Sequence, residues 1–176
     1  MRVTSGRRGK IDMKREKTKP GPGQESVWDY PRPPRIEKSS KRIRIVFNKV
    51  VIAQSDRAQR VLETSHPPVY YIPREDVKME HLRPAGGVSF CEWKGLASYF
   101  TVKIGDREAE SAAWTYPDPT SDFELIKDHV AFYPSKMDAC FVEDELVESQ
   151  PGDFYGGWIT KDIVGPFKGD VGTQGW

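Results

Sequence analysis

The sequence predicts an all-β fold, from three observations. Short apolar runs recur at roughly 8–12-residue spacing with polar turns between them. Two of those runs, Ile43–Phe47 and Val50–Ala53, flank the dipeptide Asn48-Lys49, the signature of a tight hairpin. Helical signals are confined to a single turn near Glu75–Met79 and a short segment at Phe123–His129. At 176 residues the chain can bury one core and is short for two. The expectation is therefore a single domain of packed antiparallel sheets, mainly β with one or two helical turns.

Residues 1–25 read as a basic leader ending in Lys19-Pro20-Gly21-Pro22-Gly23, a composition that predicts disorder. Residues 1–44 hold 14 Lys/Arg against 5 Asp/Glu, whereas 45–176 hold 13 against 21, so a basic segment precedes an acidic body. The basic segment invites an anionic partner, but a net-negative body repels phosphate backbones, and nucleic acid is not the expected partner. The first 24 residues have no apolar run for a secretory signal, and Asp12 and Glu16 interrupt the presequence-like pattern of Arg2, Arg7 and Arg8. No stretch approaches the ~20 apolar residues that cross a bilayer. The two cysteines, Cys91 and Cys140, form no disulfide framework, which suits a reducing cytoplasm.

The rest of the chain, 26–176, divides into an arm (26–42), a core (43–150) and a tail (151–176). In the arm, Val27-Trp28-Asp29-Tyr30-Pro31-Arg32-Pro33-Pro34 carries two large rings among three prolines, so neither helix nor central strand is expected. Rings so costly to expose should dock, giving an extended arm laid on the domain. Arg57–Glu63 is ambiguous between helix and strand. Read as a strand, it puts Arg57, Val61 and Glu63 on one side. Val69–Pro73 is plainly strand-like. Val88–Trp93 and Ala97–Ile104 should pair across Lys94-Gly95, and Gly105-Asp106 should turn the chain into Glu108–Tyr116. Val130–Tyr133 and Met137–Val142 suggest a further hairpin around Pro134-Ser135. The tail is Gly-rich yet keeps Phe154, Tyr155, Trp158, Phe167 and Trp176, too aromatic for a free linker.

Motifs exclude several chemistries. Gly86-Gly87 and Gly156-Gly157 are turn pairs rather than phosphate-binding loops, and no strand carries Asp-x-Asp. Cys91, Cys140, His66, His81 and His129 lie at no metal-ligand spacing, so neither a metal nor another cofactor is expected.

Aromatic enrichment is the strongest constellation. Alternation puts Cys91 with Trp93, Ala97 with Tyr99, and Trp114 with Tyr116 on common faces. Several indole N–H and phenol O–H groups together leave a concave, partly wet wall, suited to a planar or cationic ligand. Within it, Cys91 is a candidate nucleophile if Lys94, three residues on, faces it. Strict alternation opposes that unless Lys94-Gly95 forms a bulge. Arg57 and Glu63, about 20 Å apart on one strand, must each find other partners. For Glu63 these are either a structural ion pair or a ligand.

The segments Ser26–Pro34, Ile52–Ala58, Leu62–Pro68, Tyr70–Val77, Cys91–Gly95, Ala113–Pro117 and Ala131–Lys136 resemble domain-of-unknown-function family 427 across roughly 26–176. That resemblance implies a β-tent-like fold, similar to methionine sulfoxide reductase B and the drug-binding domain of cereblon. The zinc-binding Cys-x-x-Cys pairs of those proteins are absent here. The family is labelled in places as nucleotidyltransferase-like, but the carboxylate and glycine signatures of that chemistry are missing. The resemblance implies a site near Arg57, Glu63, Tyr71, Cys91, Lys94, Tyr99, Trp114, Tyr116 and Phe132, to which alternation adds Trp93. The expected function is binding of an unknown small planar or cationic molecule in an aromatic pocket. The alternatives are an enzyme using Cys91 as nucleophile or Glu63 and Lys94 as acid and base, and a protein-interaction module.

Overall fold

A computed structural model describes residues 15–176. In chain order the strands are β1 (Glu25–Ser26), β2 (Arg35–Lys38), β3 (Ile43–Phe47), β4 (Val50–Ser55), β5 (Gln59–Leu62), β6 (Val69–Pro73), β7 (Leu82–Cys91) and β8 (Gly95–Ile104). They continue as β9 (Arg107–Thr115), β10 (His129–Phe132), β11 (Ala139–Val142), β12 (Glu145–Leu146), β13 (Glu148–Ser149), β14 (Trp158–Ile159) and β15 (Ile163–Val164). The larger sheet runs β2-β5-β6-β10-β9-β8-β7 and the smaller β12-β11-β3-β4, with β1-β15 and β13-β14 as side pairs. The fold is all-β. Helical structure among the described residues is limited to short 3₁₀ turns, and no helix there is long and apolar enough to cross a membrane.

The hairpin at Asn48-Lys49 forms because both residues adopt the left-handed conformation (φ 45° and 64°) that matches strand twist. Asn48 also joins the sheets: its N–H donates to Asp138 (2.6 Å) and its side-chain amide to the Ile104 carbonyl (3.0 Å). β3 alternates buried Ile43, Ile45 and Phe47 with half-buried Arg44 and Val46, turning one face toward the larger sheet. The main core between the sheets takes Ile72, Val102, Val130, Phe132 and Trp158. β6, β9 and β10 are buried on both faces. Tyr70, Ala113 and Phe132 point into this main core, while Tyr71, Trp114 and Ala131 point the other way, into a second cluster with Tyr116 and Phe123. That second cluster floors the candidate site.

Three expectations change here. Val130–Tyr133 and Met137–Val142 form no hairpin: β10 pairs with β6 and β9, and β11 with β3 and β12. The 3₁₀ turn Pro134–Lys136 carries the chain from one sheet to the other instead. Of the leader expected to be disordered, residues 1–14 lie outside the described residues, but 15–25 are docked. The Thr18 N–H donates to the Gly165 carbonyl (2.9 Å), Lys17 Nζ lies 4.6 Å from the Trp28 ring centroid, and Arg15 pairs with Asp170. The arm then docks Val27 and Tyr30 beside Leu62 and Ile163, through a 3₁₀ turn at Val27–Asp29 where fully extended chain was expected.

Arg60 fastens the arm. Its guanidinium is largely buried and donates to Glu37 (2.8 and 3.0 Å) and to Glu25 Oε2 (3.1 Å), while the Tyr30 hydroxyl donates to Glu25 (2.8 Å). Burial pushes the Glu25 carboxyl up, but hydrogen bonds from Arg60 and Tyr30 outweigh this and hold it below its ordinary 4.5. A depressed folded-state value means that this stabilisation is complete above 4.5 and fades as pH falls through the folded value. Arg60→Met should cost about 2 kcal/mol at pH 7, less than a fully buried pair because both carboxylates keep solvent access. It should also flatten the acid loss. Urea unfolding at pH 7 and below pH 4 measures both, and an unchanged acid slope would remove Glu25 from this role.

Candidate functional site

A cleft of about 710 Å³ opens on the outer face of the larger sheet. Its floor and one wall come from adjacent strands. Val61 lies on β5, Tyr71 on β6, and Trp114 and Tyr116 on and just beyond β9. The β7–β8 hairpin supplies Ser89, Cys91 and Tyr99, and its turn supplies Trp93 and Lys94. The mouth is built by Arg32 from the arm and by Tyr155, Lys168 and Trp176 from the tail.

The rings are locked together. Trp114 Nε1 donates to the Tyr71 hydroxyl (3.3 Å), with the two rings nearly perpendicular at 6.2 Å. Tyr133 lies 4.5 Å from Trp114, centroid to centroid, and the Tyr99 hydroxyl meets Ser89 Oγ at 2.6 Å. Burial pushes the Tyr71 and Tyr116 hydroxyls well above the usual phenol range and Tyr133 up to about 12. These phenols therefore stay protonated at neutral pH.

Alternation was expected to oppose Cys91 and Lys94 in the absence of a bulge, but a turn over Glu92–Lys94 releases Lys94 from alternation and lets it join Cys91 in the cleft. Two features fix that turn. Thr120 donates its hydroxyl to the Trp93 carbonyl (2.6 Å) and its N–H to the Lys94 carbonyl (3.1 Å). Gly95 takes φ +102°, a backbone state other residues reach only under strain. The Lys94 side chain is 9% exposed. Its ammonium lies 5.8 Å from the centroids of both Tyr116 and Phe123, and none of the ion pairs among the described residues includes it.

Two sequence-predicted residues lie elsewhere. Phe132 is fully buried in the main core, because β10 pairs Phe132 with Ala113 and Ala131 with Trp114, and period-two alternation sends Phe132 to the opposite face from the indole. Arg57 precedes β5, so the alternation expected from Arg57 to Glu63 does not extend to it. Its guanidinium binds Asp76 (both 2.9 Å) and Glu75 (2.7 Å) away from the cleft. Glu63 does line the cleft, and its partner is structural: Arg32 Nε at 3.3 Å.

The structure adds residues that the pattern did not select. His66 is buried at the cleft edge, with Nδ1 2.9 Å from the Thr64 carbonyl. A carbonyl only accepts, so Nδ1 carries the proton and Nε2 keeps a free lone pair. Burial pushes the imidazole down, leaving it neutral at pH 7. Lys168 donates to the Trp176 carbonyl (2.8 Å). The tail's aromatic content was the available signal for these contacts, but it did not say where the rings dock.

Cys91 is half-buried in the cleft and Cys140 is buried in the main core, where burial pushes its thiol up. Among the described residues, no hydrogen bond joins Cys91 Sγ to an imidazole or carboxylate. Iodoacetamide should therefore alkylate Cys91 in the folded protein and reach Cys140 only after unfolding. Peptide mass spectrometry reads this, and native labelling of Cys140 would contradict the placement.

Residues 35–143 match the family described as Domain of unknown function (DUF427), which also carries the label NTP_transf_9. The chain belongs to this family. No curated protein matches the chain. In this DUF427 protein the matched span supplies the floor of the cleft and its β7–β8 wall, from Val61 to Tyr133, whereas Arg32, Tyr155, Lys168 and Trp176 lie outside it.

Proposed function

We propose that this DUF427 protein binds a small planar molecule between the rings of the cleft. One observation carries the reading: Tyr71, Trp93, Tyr99, Trp114 and Tyr116 all border one open volume of about 710 Å³, within the size range of small-molecule sites. Of the two ligand classes suggested by aromatic enrichment, planar is favoured over cationic, because the most deeply placed charge in the cleft is the Lys94 ammonium. Two free cysteines suit a cytoplasmic setting for this binding. The enzyme alternative has less support. Glu63 faces Arg32 rather than Lys94, and among the described residues no base is hydrogen-bonded to Cys91.

Calorimetric titration with bicyclic aromatic compounds tests the proposal. At least one should bind with a Kd below about 1 mM. Trp93→Ala, which removes a half-buried ring from the wall, should weaken that binding about fivefold with little change in stability. If no planar compound binds, or if Trp93→Ala leaves a bound one unaffected, the site is not a planar-ligand pocket.

A further inference from the structure

Three buried protein donors line the cleft, and none has an acceptor among the described residues. Lys94, Tyr71 and Tyr116 are each more than nine-tenths buried and line the same cavity. The Tyr71 oxygen already accepts from Trp114 Nε1, so its own proton is what remains to be shared. Tyr116 has no side-chain hydrogen bond among the described residues, and Lys94 has neither a hydrogen bond nor an ion pair there. Buried ammonium and phenol groups are rarely left without partners, because the cost is that of the lost water contacts. Ser65 Oγ is the one fully enclosed side-chain polar atom without a partner among the described residues. The free donors of Lys94 and Tyr116 therefore reach the open space of the cleft.

The remaining charged side chains around the cleft are paired, hydrogen-bonded or exposed. Arg32 is held by Glu63 and by the Thr64 carbonyl (2.9 Å), Lys168 by the Trp176 carbonyl (2.8 Å), and Glu92 is exposed at the rim. Lys94 is the buried cation of the cleft without an ion pair among the described residues, and flanked by two neutral donors it fits a monoanion. A tetrahedral dianion would call for a second free cation or a cluster of backbone N–H groups.

We infer that the planar ligand is an aromatic carboxylate, its oxygens accepting from Lys94 Nζ and from the Tyr71 and Tyr116 hydroxyls while its ring lies against Trp93, Tyr99 and Trp114. This inference rests on the planar-ligand reading above and specifies the ligand's polar end. Because both phenols stay protonated at neutral pH, they serve as donors across the physiological range.

Four naphthalene probes that share a ring and differ in head group test it by calorimetry: 2-naphthoate, 2-naphthamide, 2-naphthylmethylammonium and 2-naphthyl phosphate. The carboxylate should bind about tenfold or more tighter than the amide, as expected for a charge-assisted hydrogen bond, and the ammonium should bind most weakly. Lys94→Met should cut the carboxylate's advantage over the amide to about threefold or less, because the amide oxygen loses only the hydrogen bond of an uncharged acceptor. Tyr116→Phe keeps the ring, removes one hydroxyl, and should weaken the carboxylate by about three- to tenfold, more than it weakens the amide. It carries the test should Lys94→Met fail to fold. Equal binding of carboxylate and amide, tighter binding of the phosphate or the ammonium, or a carboxylate preference that survives both substitutions undiminished would each overturn the inference while leaving the planar pocket intact. Binding by none of the four would remove both readings.

Discussion

Trp158→Ala should destabilise the protein by about 3–5 kcal/mol, the range for removing a large buried ring without collapse of the site. Trp158 lies in the tail, outside the span matched by the family, yet it is 1% exposed in the main core. Its ring packs 5.1 Å from that of Tyr70, Nε1 donates to the Phe132 carbonyl (3.3 Å), and its backbone N–H donates to the Pro68 carbonyl (2.8 Å). The substitution therefore empties a cavity between the sheets and leaves a carbonyl without its donor. For a chain of this size the melting temperature should fall by about 10 °C or more. Trp158→Phe, which fills most of the volume, should recover more than half of the loss. If Trp158→Ala costs less than about 1 kcal/mol, the tail is an accessory to the fold and not a part of its core.

Phe132 and Trp158 together show why some of the molecule was legible in sequence and some was not. The strands around the Asn48-Lys49 turn and the pair 97–104 with 108–116 announce themselves through local turn chemistry and alternation, and both form close to where they were expected. The rings Trp93, Tyr99, Trp114 and Tyr116 belong to these local units or their immediate ends, so their shared face could be read along the chain. Phe132 could not be placed this way. Whether it meets the indole of Trp114 or turns its back on it depends on cross-strand register, and a one-residue difference reverses the answer. The connection from β10 to β11 failed for a related reason. Neighbouring strands are usually adjacent in a sheet, but Pro134–Lys136 carries the chain between sheets, and only the packing of both reveals that. Arg57 was misplaced by extending strand alternation two residues beyond β5, into a turn where Asp76 captures it. The end of the leader was misjudged in a different sense. Pro- and Gly-rich composition near residue 20 argues locally for disorder, and long-range contacts such as Thr18 with Gly165 override it. Lys168 reaches the cleft only because the tail folds back over it, and His66, between β5 and β6, meets Tyr155 of that tail there.

That return of the tail explains the second large effect. Gly156→Val should cost about 2–3 kcal/mol and lift residues 151–157 off the cleft. A Cβ at position 156 would fall 2.4 Å from Trp114 Cη2, closer than carbon atoms can approach, and 3.3 Å from Tyr133 Cδ1, a tight contact. Either the indole or the tail must move. The indole is 7% exposed, wedged by Tyr71 and Tyr133 and held by its hydrogen bond to the Tyr71 hydroxyl. The tail has less to lose: Phe154 is 71% exposed, and its carbonyl meets the Tyr133 hydroxyl through a long hydrogen bond of 3.3 Å. The tail should therefore yield. Chymotrypsin should cut after Phe154 or Tyr155 about tenfold faster in Gly156→Val than in the parent, because local opening becomes cheaper while the sheets stay folded. Gly156→Ala should show the same effect in smaller measure, since the Cβ alone makes the clash. Unchanged cleavage with a quenched or shifted Trp114 emission would mean that the indole gave way, and the cleft's aromatic wall would then be softer than its hydrogen bonding implies.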